Sequence, residues 1–217
     1  MNILLVYYSL TGQASRAVEL AAEALQETGN QVTCCRIDFA DATVRPKRPF
    51  SLKDVKYWSD AAAQGKLYPL SLTPSDALTS RYDLVLLFSN TWQHHPSTPV
   101  RSLLALDEMK SVLKDTPFAI YVVCRRIWEK NAAIVREEAE AAGGFFMGAR
   151  HFQHHGGPIG SLITTVTYML SSREKALWPL PPFGLSDQAA SEIKPFTREI
   201  LTKAQQFKPV ASQLENA

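Results

Sequence analysis

Short, nearly unbroken apolar runs alternate along this chain with longer stretches in which apolar positions recur every three or four residues. The runs at 3–8, 84–89 and 118–124 predict strands, and Leu84-Val85-Leu86-Leu87-Phe88 in particular suits a parallel strand covered on both faces. Further strands are predicted over 31–38 and 145–150, and helices over 13–28, 99–113 and 129–142. The first helix sets Ala17, Val18, Ala21, Ala24 and Leu25 on one face and ends at Gly29; the third ends at Gly143-Gly144. Thr98 is the predicted N-cap of the middle helix, with Pro99 in its first turn. Regular alternation of this kind selects a doubly wound α/β architecture, a five-stranded parallel sheet between two helical layers.

Three segments go beyond that minimum. The 39–82 connection carries a helical stretch around 52–64 and the aromatics Phe50, Tyr57, Trp58 and Tyr68, which suit either a lid or a cover for the sheet edge. After the fifth strand an apolar helix is expected over 159–171, then a Trp- and Pro-rich turn over 176–184 and a last helix over 187–206. The 158–217 stretch is thus a helical extension of one 1–217 domain, since 217 residues with 46% hydrophobic content suit one full-sized core.

Charge and composition narrow the function classes. A net charge of +2, with no basic cluster larger than Arg45-Pro46-Lys47-Arg48, argues against nucleic acid as a partner. The longest apolar stretch, 159–170, is too short to span a bilayer, is broken by Gly, Ser and Thr, and is read as a buried helix. The opening Met1-Asn2 leads straight into a strand, so a cytoplasmic location is expected. Cys34, Cys35 and Cys124 have no metal-ligand spacing, and reduced thiols are expected.

Ser9-Leu10-Thr11-Gly12-Gln13 carries the most information, because it follows the first strand and opens the first helix. A tight turn there presents unpaired backbone N–H groups and the positive end of the helix dipole to an anion. Ser9, Thr11 and Ser15 add hydroxyls, and Gly12 lets the backbone approach closely. With no Lys after the glycine and no G-x-G-x-x-G, a monophosphate fits better than a nucleoside triphosphate or a dinucleotide.

Ser-x-Thr-Gly-x directly after a first strand resembles the FMN phosphate loop of the flavodoxin-like family. That resemblance implies strand order 2-1-3-4-5, FMN as cofactor, and Ser9, Thr11, Gly12, Gln13 and Ala14 around its phosphate. Ala14 stands where flavodoxins commonly place another hydroxyl residue. Within the family the chain is similar to NAD(P)H:quinone reductases. Its Tyr7-Tyr8-Ser9-Leu10-Thr11-Gly12-Gln13 opening also resembles flavodoxin-like proteins of dialkylresorcinol and aryl-polyene pathways. In such sheets ligands bind beyond the carboxyl ends of the strands, at the switch between the first and third, which selects the loops 9–14, 89–96, 124–128 and 151–158.

In the second of these loops, Trp92 is the candidate to stack on the flavin ring and Asn90 and Thr91 to bond its edge; alternatively Trp92 packs on Pro96 and Pro99. In the third, Arg125 and Trp128 would touch ring edge or substrate. Cations there favour two-electron chemistry, although Arg125 and Arg126 could instead pair with Glu129 and Glu137. All five histidines fall in two rim loops, His94-His95 and His151-x-x-His154-His155. A metal site is not favoured, since no carboxylate or thiol stands beside them at ligand spacing. His94 and His95 are expected nearest the ring, as donors to a carbonyl acceptor. The expectation is an FMN-dependent oxidoreductase, a homodimer joined through the segments at Trp58 and Trp178, moving hydride from NAD(P)H to a quinone- or enone-like acceptor. A flavodoxin-type electron carrier and a flavin-free binding protein on the same fold are the alternatives.

Overall fold

The computed structural model describes residues 1–171 and 178–207. Five parallel strands run in the order expected: β2 (Gln31–Phe39), β1 (Asn2–Tyr7), β4 (Leu84–Trp92), β6 (Pro117–Cys124) and β7 (Phe145–Gln153). A sixth, β3 (Leu70–Thr73), extends the sheet antiparallel to β2, pairing Ile37 with Leu72 and Phe39 with Leu70. It comes from the long connection and is absent from the sequence reading. A two-residue arm, β5 (His95–Pro96), folds back on β4 and pairs His95 with Trp92.

Period-two alternation in the strands builds two cores. Leu4, Val6, Val85, Leu87, Phe118, Ile120 and Val122 face one way, onto α2 (Leu52–Ala63), α3 (Thr98–Ala105), α4 (Asp107–Leu113) and α5 (Glu129–Ala141). Ile3, Leu5, Leu84, Leu86, Phe88, Tyr121 and Val123 face the other way, onto α1 (Gln13–Gln26) and α7 (Asp187–Gln206). The predicted 99–113 helix is in fact two, because Leu106 is extended (ψ 135°) and is the C-cap of α3 and the N-cap of α4. Ser97, not Thr98, is the N-cap of α3.

The predicted apolar helix is α6 (Gly157–Leu170), but it is not buried. Ile159, Leu162, Ile163, Val166 and Leu170 are all exposed, whereas Ser161 and Thr164 are buried. Residues 176 and 177 of the predicted 176–184 turn lie outside the described residues. Among the described residues no helix is long and apolar enough to cross a membrane.

One buried polar contact ties α7 to the centre of the sheet. The Tyr121 hydroxyl donates to Thr197 Oγ1 at 2.9 Å, and Thr197 in turn donates to the Ile193 carbonyl at 2.8 Å. Thr197→Val strands the Tyr121 hydroxyl in an apolar layer and is expected to cost roughly 1–3 kcal/mol. Tyr121→Phe leaves Thr197 satisfied and is expected to cost at most about 1 kcal/mol. Urea unfolding of both variants tests this, and equal losses would refute the asymmetry.

Candidate functional site

Coverage of the sheet changes sides between β1 and β4, because β1 is followed by α1 on one face and β4 by α3 on the other. A cleft therefore opens at their carboxyl ends. A cavity of about 410 Å³ sits there, within the range of small-molecule sites. Its floor is Leu10, Thr11, Gln13, Asn90, Thr91, Trp92, Gln93 and residues 123–127. Its far walls come from the two unusual segments: Phe50, Leu52, Val55 and Trp58 from the connection and α2, and Leu162, Val166, Met169 and Leu170 from α6.

The first loop leaves backbone N–H groups unbonded at the start of α1. Gly12, the N-cap of α1, has φ +80° and open space where a side chain would stand. The N–H groups of Gly12, Gln13 and Ala14 come before the first bond of the helix, Arg16 N–H to the Gly12 carbonyl at 3.0 Å. Ser9 is buried, and its Oγ accepts from Ser15 N–H at 3.3 Å, so it shapes the loop from behind. Gln13 is committed elsewhere: its Oε1 accepts from Leu185 N–H at 2.8 Å. Ala14 is buried and supplies its backbone alone. Backbone N–H groups and the Thr11 hydroxyl are what remain for a phosphate.

The second predicted loop is largely strand. β4 continues through Asn90, Thr91 and Trp92 before a two-residue turn in which Gln93 is left-handed (φ +57°). Asn131, fully buried on α5, holds this extension in place; it accepts from Ser89 Oγ at 2.8 Å and donates to Thr91 Oγ1 at 3.0 Å. Sequence reading missed Asn131, whose signal is a polar side chain on the apolar face of a helix. Trp92 sits edge-on to Tyr8 and Trp58, at 6.2 and 5.5 Å between ring centroids, and its remaining surface lines the cavity. Trp58 is buried in this cluster with Phe39 and Tyr68, so it covers the sheet edge, while Leu52, Val55 and Tyr57 of the same helix are exposed.

The histidines divide differently from expectation. His94 is exposed, His95 is half-buried, and neither borders the cavity. Trp128 also lies outside it, stacked on His151 at 4.9 Å. The cavity histidine is His154, packed edge-on against Phe183 at 5.5 Å. Burial, helped by His155 and Arg125, pushes its pKa down to about 4, so its ring is neutral at pH 7. Its Nδ1 and the Asn90 Oδ1 are buried polar atoms with no hydrogen-bond partner among the described residues, and both residues line the cavity. Arg125 and Arg126 line it too, while burial raises the Cys124 thiol to about 12 and leaves it inert. Among the described residues no three metal-ligating side chains stand together.

Two unpaired acceptor or donor atoms in one cleft call for a ligand that bonds them. FMN fits on those grounds: a cradle for a monophosphate, an indole wall, polar atoms awaiting partners, and cations at the opposite rim.

The depressed His154 pKa has a stability consequence. The unfolded chain takes up a proton near pH 6.5 and the folded one only near 4, so stability falls as pH drops through that window. His154→Gln is expected to flatten the decline by up to about 1.4 kcal/mol per pH unit between 6.5 and 4. Denaturant melts at stepped pH measure it, and an unchanged slope would mean the ring protonates freely when folded.

No family model and no curated protein matches the chain. Solved structures do. One is a flavoprotein in complex with FMN from Lactobacillus acidophilus, 21% identical over 69% of this chain and 92% of that one, TM-score 0.53. A flavodoxin from the domain Archaea is 12% identical over 94% and 99%, TM-score 0.52. A short-chain flavodoxin associated with a non-canonical PDU bacterial microcompartment is 10% identical over 94% and 99%, TM-score 0.50. The order of the five parallel strands agrees with that likeness: the chain has the flavodoxin-like fold.

Proposed function

We propose that the chain binds FMN in this cavity and is an oxidoreductase that draws on NAD(P)H to reduce a flat conjugated acceptor of the quinone or enone type. The observation that carries the reading is the meeting, in one cleft, of the phosphate cradle at Thr11–Ala14, the Trp92 wall and the unpartnered polar atoms of Asn90 and His154. When bound, FMN supplies reversible two-electron chemistry that no side chain here can provide.

The chain's own residues have distinct tasks. The N–H groups of Gly12, Gln13 and Ala14, with the Thr11 hydroxyl, hold the phosphate through the positive end of α1. Asn90 and Thr91 bond the polar edge of the ring, and Trp92 gives it an apolar face. Arg125 and Arg126 stabilise negative charge at the rim, on the ring edge or on an anionic donor. The hydrogen-bonding task expected of His94 and His95 falls to His154, which at neutral pH offers one N–H and one lone pair rather than a charge. Phe50, Met169 and the aliphatic residues of α6 exclude water. An electron carrier is the second reading, favoured by the flavodoxins among the similar structures. The guanidinium groups of Arg125 and Arg126 in the cavity lining favour the enzyme.

Titration of the purified protein with FMN, followed by anaerobic NADPH, tests the reading. Saturable binding and bleaching in one phase are expected, and Trp92→Ala is expected to weaken binding about tenfold and relieve fluorescence quenching. A long-wavelength band during stepwise reduction would favour the carrier, and no binding at micromolar FMN would remove both.

A further inference from the structure

α6 is amphipathic in the reverse sense. Ile159, Leu162, Ile163, Val166 and Leu170 fall at spacings of three, four, seven and eleven, which is one continuous helical stripe. Ile159, 74% exposed, and Ile163, 46% exposed, face out beyond the cavity lining, whereas Leu162, Val166 and Leu170 are partly exposed where they line the cavity mouth. The hydroxyls face in, where Ser161 donates to the Gly157 carbonyl and Thr164 to the Pro181 carbonyl at 3.2 Å. The fourteen-residue helix contains no charged residue. A helix that satisfies its polar groups internally and shows water its aliphatic side chains is built for an apolar surrounding on that side.

The stripe does not stand alone. Leu52 and Val55, one turn apart on α2, are also exposed and line the same cavity mouth as Leu162, Val166 and Leu170. Trp178, at 93% exposure, projects from the segment whose Pro181 packs on Gly156 and Gly160 of α6. Residues 45–56 carry Arg45, Lys47, Arg48, Lys53 and Lys56; Arg45 is paired with Asp38 at 3.6 Å and Lys56 with Asp60 at 2.6 Å, so Lys47 and Lys53 are the cations beside Leu52 and Val55 that an anionic surface would meet. Arg48 fixes this basic segment to α6, since its Nε donates to the Tyr168 carbonyl at 3.0 Å and its guanidinium lies 3.4 Å over the Tyr168 ring. Tyr168 stacks in turn on Phe183 at 3.7 Å, so the wall is held firmly in its outward-facing orientation.

We infer that the α6 stripe, with Leu52, Val55 and Trp178, is a docking surface for an anionic lipid bilayer. The occupant is chosen by the combination of features. Aliphatic side chains flanked by an exposed indole and a net basic segment match the acyl boundary, interfacial zone and phosphate layer of such a surface in turn. At 1.5 Å per residue α6 is about 21 Å long, too short to span the hydrocarbon core and suited to lie along it. The cavity mouth then opens toward the membrane, which makes lipid-dissolved compounds its nearest source of apolar ligands. The docking surface does not depend on FMN.

Flotation of the full-length protein with vesicles of phosphatidylcholine alone, and of phosphatidylcholine with one quarter phosphatidylglycerol, tests the inference without flavin. At least tenfold stronger partition to the anionic vesicles is expected, falling in high salt. Ile159 and Ile163 are exposed and lie outside the cavity lining, so Ile159→Glu and Ile163→Glu are expected to fold, as circular dichroism melts check, and to lose that partition at least tenfold. Absence of wild-type flotation on either vesicle, or flotation indifferent to both substitutions, would overturn the inference. So would a self-association in sedimentation velocity that the substitutions abolish while vesicle binding is absent; that result assigns the face to a second copy of the chain. FMN titration of the same variants reads the proposed function separately: loss of flavin binding with retained flotation counts against the oxidoreductase alone.

Discussion

Parallel strands bury both faces, so each needs helices above and below, and that demand organises the whole molecule. The chain meets it by sending α1 and α7 to one side and α2 through α5 to the other. Where the side changes, between β1 and β4, no helix can close the end of the sheet. Strand ends, backbone N–H groups at the start of α1 and the tip of the β4 extension are left facing one gap. The site is the unavoidable remainder of covering the sheet, and its chemistry depends on which residues the strand ends happen to deliver.

What this chain adds is a second enclosure over that gap. The 39–82 connection contributes an aromatic cluster in which Phe39, Trp58, Tyr68 and Trp92 meet edge-on or tilted at 5.2–5.7 Å between ring centroids. α6 contributes the opposite wall, joined to the connection by the Phe50 N–H bond to the Met169 carbonyl at 2.8 Å. Between them His154 loses enough water to stay neutral, while Arg125 remains only partly covered. Burial that suppresses one charge and spares another is how a single cleft can hold both a neutral hydrogen-bonding ring and a cationic rim.

The parallel strands and most of the helices were legible because their patterns are long and periodic, and with them the place of the 9–12 loop between β1 and α1. The misses share a cause, which is information held far away in sequence. β3 is four residues whose strand character comes from pairing with β2. β4 runs on to Trp92 because Asn131, forty residues later, clamps Thr91. Leu106 breaks the helix without a glycine or proline to announce it. The apolar helix α6 was expected from its composition, but composition carries no sign of direction, and such a helix is ordinarily read as core. Nor does the sequence show that His154, rather than His94 or His95, lines the cavity, where it packs against Phe183.

The stack of Arg48, Tyr168 and Phe183 joins three segments that are remote along the chain, with 120 residues between the first two. Loops of that length are the most costly in entropy for the chain to close, and contacts that close them form after local ones. The enclosure is therefore held by contacts that close long loops, although the same connection also supplies β3 to the sheet. Floor and walls of the cleft thus rest on different kinds of contact: the floor on strand ends and the loops that follow them, the walls on segments that meet only in the folded chain.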